Sequence, residues 1–480
     1  MKMVQDRARR VDGVPRIMWA VLAMAVCLRL AALIAFHGPD LVSASESGLT
    51  AANWVAGRGH TFDFYGYRAA SPLQSFMPPL FTAVIAASLM TPWPGIAFGI
   101  VQVVLSSLTV LLVYLISARL TGPNVGLLAA MLATVYPPFL ILADQNTVPV
   151  LNTFLLALWL WATIRLIDRG GRLSAAIAGL ALGLNILSRP STVGLLAVML
   201  LGMWLRPKAQ AGPLAAVPTS GSPGVPVERT KGEWSGRPRD FGTRLRNWWR
   251  PAVMVVAVAG LTVAPWLARD LLVHHRFVWI STNGGFNFWV GNNPFTTGSC
   301  FDVRIADLAA YSGEAVAAPA GASISQVKPY PLPLELRDTA ATLDEVALDR
   351  ALYGASLAFI RARPGRWLGL LAQKFVSLWW FRPNIGRSSG FYEESWILPY
   401  QLLYAGLLVA AGVGFVLSFK HWRQHIVPYG MLAYLTAVYV AYHAITRYRW
   451  EMEPYVLVLA ALALVAGWRR VLPALPRKPR

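Results

Sequence analysis

The sequence predicts an all-α polytopic membrane protein of about ten transmembrane helices, with interfacial helices and an extracytoplasmic loop region. Two observations carry this prediction. Of 480 residues, 56% are hydrophobic and only 14% are charged, where a soluble domain has about 25% charged residues. Apolar runs of about 20 residues recur from end to end, the length a helix needs to cross the hydrocarbon core. The formal net charge of +20 does not imply a nucleic-acid partner. The positive residues gather between apolar runs, where cytoplasmic loops collect Lys and Arg, so membrane lipids are the expected surroundings.

The first run, 14–36, follows Arg7, Arg9 and Arg10, which place the N-terminus in the cytoplasm. It is too long for a cleaved signal segment and lacks a small-residue cleavage site. Cys27 lies in this run and Cys300 in a polar loop, which argues against a disulfide between them. Further apolar runs lie at 76–92, 97–118, 124–142, 148–166, 173–187, 191–205, 251–269, 366–381, 398–419, 426–444 and 452–469. Arg165, Arg169 and Arg172, the stretch 206–250 with nine Lys/Arg against three acids, and Lys420, Arg423, Arg469 and Arg470 all mark cytoplasmic ends. Keeping them all inside requires an even number of crossings between them. That holds if 76–92 and 366–381 do not cross. The first is short and opens on Met77-Pro78-Pro79; the second mixes Arg361, Arg363, Arg366 and Lys374 with Trp367, Trp379 and Trp380, as an interfacial helix does.

The resulting expectation is a multi-pass protein of the inner (cytoplasmic) membrane with both termini cytoplasmic. An N-terminal membrane module, 1–206, carries the first outer loop, 37–96. A basic linker, 207–250, rich in Pro, Gly and Ser, leads to a C-terminal module, 251–480. The latter's outer region, 270–397, is expected to mix helix and irregular chain, because Pro319, Pro329, Pro331 and Pro333 break long helices.

Ionisable groups at a membrane edge are costly and point to function, and here they converge on the outer face. The first outer loop supplies Asp40, Glu46, His60 and Asp63; the end of the third span supplies Asp144. Arg189-Pro190 interrupts an apolar stretch. One span ends in Pro265-Trp266-Leu267-Ala268-Arg269-Asp270, and Arg447, Tyr448, Arg449, Glu451 and Glu453 crowd the start of the last. Carboxylates with arginines suit a sugar linked to phosphate: the guanidinium fork pairs with phosphate, and a carboxylate acts on an acceptor hydroxyl or amine. Each residue also has a structural reading. Arg269, Arg447 and Arg449 could be snorkelling anchors, Glu46 a solvated loop acid and Asp144 a helix-end group. Arg29, inside the first span, faces the bundle without an obvious partner. The sequence has no nucleotide-binding Gly-rich loop, no paired His/Cys metal spacing and no G-x-S-x-G.

The order of motifs resembles the bacterial C-type-fold (GT-C-like) membrane glycosyltransferases related to protein O-mannosyltransferases and lipid A aminoarabinose transferases. Glu46 is followed by Ala52-Asn53-Trp54-Val55-Ala56-Gly57-Arg58-Gly59-His60, similar to the family's run after its first span. Pro78-Pro79, Leu187-Ser188-Arg189-Pro190 and Pro265-Trp266 with Arg269 resemble further elements. The best match is Ser281-Thr282-Asn283-Gly284-Gly285-Phe286-Asn287 continuing to Gly291-Asn292-Asn293-Pro294, and Arg447-Tyr448-Arg449 with Glu453-Pro454 resembles the closing element.

The resemblance implies transfer of a sugar from a polyprenyl-phosphate donor, with inversion, to a glycan, lipid or protein acceptor on the extracytoplasmic face. It implies an acid of the first outer loop as base or acceptor-orienting group. Where relatives begin this loop motif with Asp, the chain has Ser43, which leaves Glu46 or Asp40 as the acid and Asp144 as a secondary one. Arg189, Arg269, Arg447 and Arg449 are the expected donor-phosphate ligands. Asn283, Gly284, Gly285, Asn287, Asn292 and Asn293 read as tight turns, either lining the site with backbone N–H groups or serving structure alone. No cofactor is required, although Glu46 and Asp144 together could hold a divalent metal. Two other functions fit the same residues: an inactive scaffold presenting lipid-linked sugar in envelope assembly, and, less well, a lipid or solute transporter.

Overall fold

The computed structural model describes residues 14–35, 41, 45–62, 72–141, 148–205, 241–299, 303–312, 323–324, 330–379 and 394–471. The chain opens with α1 (Arg16–Ala35), α2 (Glu46–Val55) and the short α3 (Pro79–Leu89). There follow α4 (Pro94–Leu120), α5 (Pro123–Val135), α6 (Pro137–Ile141), α7 (Pro149–Arg169) and α8 (Arg172–Ser188). A 3-10 turn at Pro190–Gly194 leads into α9 (Leu195–Leu205). The second half contains α10 (Phe241–His274), α11 (Gly284–Gly291), α12 (Ile305–Ser312), α13 (Glu345–Ala362) and α14 (Pro364–Trp379). It closes with α15 (Glu394–Phe419), α16 (Trp422–Ala441), α17 (Thr446–Arg449) and α18 (Glu453–Val471). The strands are minimal: β1 (Val303–Arg304) pairs antiparallel with β2 (Ser323–Ile324). The protein is an all-α polytopic membrane protein.

Proline sets many of the starts. Pro79, Pro94, Pro123 and Pro149 are each a first helical residue, where the missing N–H has no intrahelical partner to lose. Five described helices are long and apolar enough to cross a membrane: α1, α4, α7, α10 from Trp249, and α15 from Ile397. The other runs read as crossings fall on shorter or more polar helices, with α5 joined by α6 and the 3-10 turn joined by α9. α3, at 11 residues, reaches only about 16 Å, short of the ~30 Å hydrocarbon core.

The bundle is packed closely through small residues. Gly179 and Gly183 on α8 face α10, where an added Cβ would lie 2.7 Å from the Val255 carbonyl oxygen and 2.6 Å from Thr262 Cβ. This four-residue spacing of glycines lets two backbones approach without a hydrophobic driving force between them. An ion pair between Arg119 Nε and Asp168 Oδ2, at 2.6 Å, ties the ends of α4 and α7.

Arg29, which has no obvious partner in the sequence, is fully buried and has four acceptors. Its Nε donates to Ser106 Oγ at 2.6 Å, Nη1 to the carbonyls of Ala25 and Thr134, and Nη2 to the Ala133 carbonyl at 3.3 Å. Pro137 and Pro138 explain the arrangement. They lack the N–H groups that would have bonded the carbonyls four residues earlier, Ala133 and Thr134, and no water reaches the bilayer core to replace them. The guanidinium caps the broken helix. We expect Arg29→Leu to lower stability by about 2–6 kcal/mol, from two orphaned carbonyls at about 1–3 kcal/mol each. Thermal melting in detergent checks this; an unchanged melt would mean that the carbonyls find other donors.

The structure departs from the sequence expectation in three places. The Asn283–Pro294 stretch is not a set of tight turns, since eight of its residues form α11. The helical cost of its glycines, about 1 kcal/mol each, is outweighed by burial of Phe286, Trp289 and Val290. The stretch read as a linker to residue 250 is already helical from Phe241. Lys374, expected on an interfacial helix, is fully buried and donates to Asn292 Oδ1 at 2.9 Å.

Candidate active site

A cavity of about 710 Å³ lies where α2, the 3-10 turn, the Trp279–Asn287 segment, α13 and the ends of α16 and α17 meet. Glu46 lines it from the first turn of α2, a position where the positive end of a helix favours a carboxylate. The helix is fixed there by its N-cap, because Ser45 Oγ accepts the Gly48 N–H at 3.1 Å.

Arg189 and Arg447 also line the cavity, but they differ in what holds them. Arg189 stands in extended backbone between α8 and the Pro190 turn. Its guanidinium donates to Glu451 Oε1 at 2.7 Å and lies over the rings of Tyr448 and Tyr439, at 4.8 and 5.3 Å. Glu451 is itself held by Asn152 Nδ2 and the Tyr439 hydroxyl. The Arg189 charge is therefore already matched. Arg447 is half-buried at the wall, and among the described residues it has neither an ion pair nor a hydrogen bond to its side chain.

Arg269 does not line the cavity. Its Nη1 donates to Ser75 Oγ at 2.6 Å and Asp270 Oδ1 at 2.8 Å, and it lies over Trp266. This is one corner of a network that locks the chain before α3 onto the segment after α10 and the start of α13. Glu345 accepts the Gln74 and Ser75 N–H groups at 2.7 and 2.9 Å and the Thr282 hydroxyl, while Ser75 Oγ meets His274 Nε2 at 2.8 Å. His60 is buried beside Trp54 and Trp266; burial pushes it down to about 4, so it is neutral, and its Nδ1 faces the Gln74 carbonyl at 3.1 Å. Ile280 has a φ of 64°, strained for a β-branched residue. Trp266 Nε1 holds its carbonyl at 2.8 Å.

Arg449 also lies outside the cavity wall. It is fully buried, with Nε on Glu453 Oε1 at 2.8 Å and Nη2 on the Tyr400 hydroxyl at 2.8 Å. In the Asn-Gly stretch, Asn283, Gly284 and Asn287 line the cavity, whereas Asn292 and Asn293 are buried and bond protein groups such as the Ala441 carbonyl and the Tyr330 hydroxyl. Gly284 and Gly285 are docking positions for α13. A Cβ on Gly285 would lie 2.0 Å from the Asp349 carbonyl oxygen, and one on Gly284 2.3 Å from the Tyr353 hydroxyl.

That docking brings in residues the sequence reading missed. Asp349, Arg350 and Tyr353 of α13, with Tyr442 after α16, line the cavity. Asp349 Oδ1 accepts the Gly285 N–H at 2.6 Å, and the Tyr353 and Tyr442 hydroxyls are 2.8 Å apart. Burial pushes the Asp349 carboxyl up to about 6, with Glu345 adding to the rise and the Gly285 N–H and Arg350 opposing it. Burial also raises the Tyr353 phenol, which stays protonated. The only available signal was the four-residue spacing of Asp349 and Tyr353, common on any helix. Asp40 and Asp144, with Ser43 and Asp63, lie outside the described residues. Among the described residues no group of three or more His, Cys, Asp or Glu is placed to hold a metal ion.

No curated protein sequence matches the chain. In fold it is similar to the archaeal oligosaccharyltransferase AglB from Archaeoglobus fulgidus, solved with an inhibitory peptide and a dolichol-phosphate. That likeness has 14% identity and a TM-score of 0.49, and covers 97% of this chain but 52% of AglB, so the chain spans about half that protein's length. It is also similar to ArnT from Cupriavidus metallidurans, solved bound to undecaprenyl phosphate, with 13% identity, a TM-score of 0.40, and 96% and 80% of the two chains covered. Residues 73–213, a stretch that includes α3 through α9, match the family described as dolichyl-phosphate-mannose-protein mannosyltransferase. That match covers less than a third of the chain and takes in Pro78-Pro79 and Ser188-Arg189-Pro190, two of the elements in the resemblance to protein O-mannosyltransferases.

Proposed function

We propose that the protein is an inverting glycosyltransferase that moves a sugar from a polyprenyl-phosphate donor to an acceptor hydroxyl or amine on the extracytoplasmic face of the inner membrane. The observation that carries this is the single cavity shared by Glu46, Arg447 and the Asn283–Asn287 segment. It joins an anion able to act on a nucleophile with a cation free to meet a phosphate. In the reaction, the acceptor atom bonds to the anomeric carbon from one side. The bond from that carbon to the phosphate oxygen breaks on the other, so configuration inverts and polyprenyl phosphate leaves with the electron pair. Arg447 balances the charge of the phosphate, and Arg189, its own charge matched by Glu451, shapes the wall beside it. Glu46 receives the acceptor's hydrogen, as base or as orienting group.

The test is donor binding and turnover by the full chain in nanodiscs, using a panel of undecaprenyl-phosphate sugars. Arg447→Ala is expected to weaken binding of the active donor about 10- to 100-fold, the worth of one hydrogen bond to a charged group, about 1.5–3 kcal/mol. Binding that does not depend on Arg447 would remove it as the phosphate ligand. Donors bound but never turned over would favour a scaffold that presents lipid-linked sugar.

A further inference from the structure

Resting on that transfer reaction, we propose that Asp349 is the carboxylate that takes the acceptor's proton, with Glu46 orienting the acceptor from the first outer loop. The two oxygens of Asp349 are used differently. Oδ1 is anchored by the Gly285 N–H at 2.6 Å, and Oδ2 has no hydrogen-bond partner among the described residues although the side chain lines the cavity. One anchored oxygen fixes the direction of the other, which is what a proton acceptor needs. The anchor depends on backbone contact: Gly285 admits α13 so closely that no Cβ fits between them.

The charged surroundings suit this role. On its own helix Asp349 faces Glu345, Arg350 and Tyr353; from α11 it meets only the Gly285 N–H, and from the segment after α16 it meets Tyr442. Lys374 of α14, the neighbouring helix, is directed to Asn292. Glu46, Arg189, His443, Arg447 and the phenols of Tyr434, Tyr439 and Tyr448 complete the ionisable groups of the cavity wall. Partial burial makes the carboxyl titrate near 6, a value suited to a base working near neutrality. In the step itself the acceptor O–H or N–H forms its bond to the anomeric carbon. The carbon–oxygen bond to phosphate breaks with its electron pair on polyprenyl phosphate. The acceptor's proton passes to Asp349 Oδ2 and then to solvent.

The experiment compares the full chain with Asp349→Asn and Glu46→Gln in nanodiscs between pH 5 and 8. The probe is the turned-over member of a panel of undecaprenyl-phosphate hexoses and pentoses, with water as acceptor, and release of undecaprenyl phosphate is measured. Unaltered protein should gain rate with pH through about 6, because the base must be ionised. Asn keeps an oxygen for the Gly285 N–H, so Asp349→Asn should melt like the unaltered protein and bind donor within about threefold. Its turnover should nevertheless fall about 100-fold and lose the acid limb of the profile. A purely structural Asp349 would leave both rate and limb in the Asn variant, which overturns the inference. Loss of the acid limb in Glu46→Gln, with Asp349→Asn unaffected, would move the base to Glu46 and leave the transfer reaction standing. Donors bound by a folded protein that turns none of them over would overturn both.

Discussion

Glu46→Gln is expected to cut sugar transfer by about a hundredfold or more, with donor affinity changed by less than about threefold. Glutamine has nearly the shape of glutamate, and the N-cap bond from Gly48 to Ser45 that places α2 is independent of it. What is lost is the negative charge at the cavity wall, whether it receives a proton or holds the acceptor in line. Two to four orders of magnitude correspond to about 2.7–5.4 kcal/mol of transition-state stabilisation. The effect should fall on kcat, because a group that acts on the acceptor contributes little to binding the lipid phosphate. Asp40→Asn belongs in the same experiment, since both acids follow α1 in the sequence, on either side of Ser43. If Asp40→Asn silences the protein and Glu46→Gln does not, the loop acid is Asp40 and the assignment of Glu46 is wrong.

The parts of the site that were legible in the sequence are those where chemistry and local pattern coincide. Glu46 follows an apolar span, Arg189 precedes a helix-breaking proline, and Asn283 to Asn287 form an unusual composition; Glu46, Arg189, Asn283, Gly284 and Asn287 line the cavity. Asp349 was invisible because it sits on an ordinary amphipathic helix whose contact with Gly285 exists only after folding. Arg447 and Arg449 show the opposite failure. Two residues apart on α17, they lie about 200° apart around the axis, so one reaches the cavity and the other the core. Nothing in a two-residue spacing says which is which before the helix is docked. Arg29 is a third kind of case: its partners are the carbonyls freed by Pro137 and Pro138, more than 100 residues away, and only the close packing of α1 against α5 and α6 brings them together.

Glu453→Gln is expected to destabilise the protein by about 3–5 kcal/mol, the cost of leaving a buried charge without its partner. Arg449 and Glu453 are both fully buried, at 2.8 Å, and the guanidinium lies 3.6 Å from the centre of the Tyr404 ring. Thermal melting in detergent should show the loss directly. Lys in place of Arg449 should be nearly as harmful, because a point charge cannot bond Glu453, Tyr400 and the Leu378 carbonyl together as the fork does. Removing both charges with Arg449→Leu and Glu453→Leu should recover much of the stability, since apolar pairs often match or exceed buried ion pairs. That double variant also decides what Arg449 is for. If it folds and still binds the undecaprenyl-phosphate donor within about threefold, Arg449 holds α17 against α14, α15 and α18 and never meets the phosphate. A stable double variant whose donor binding falls tenfold or more would return Arg449 to the phosphate site and require the bundle to open there when the lipid enters.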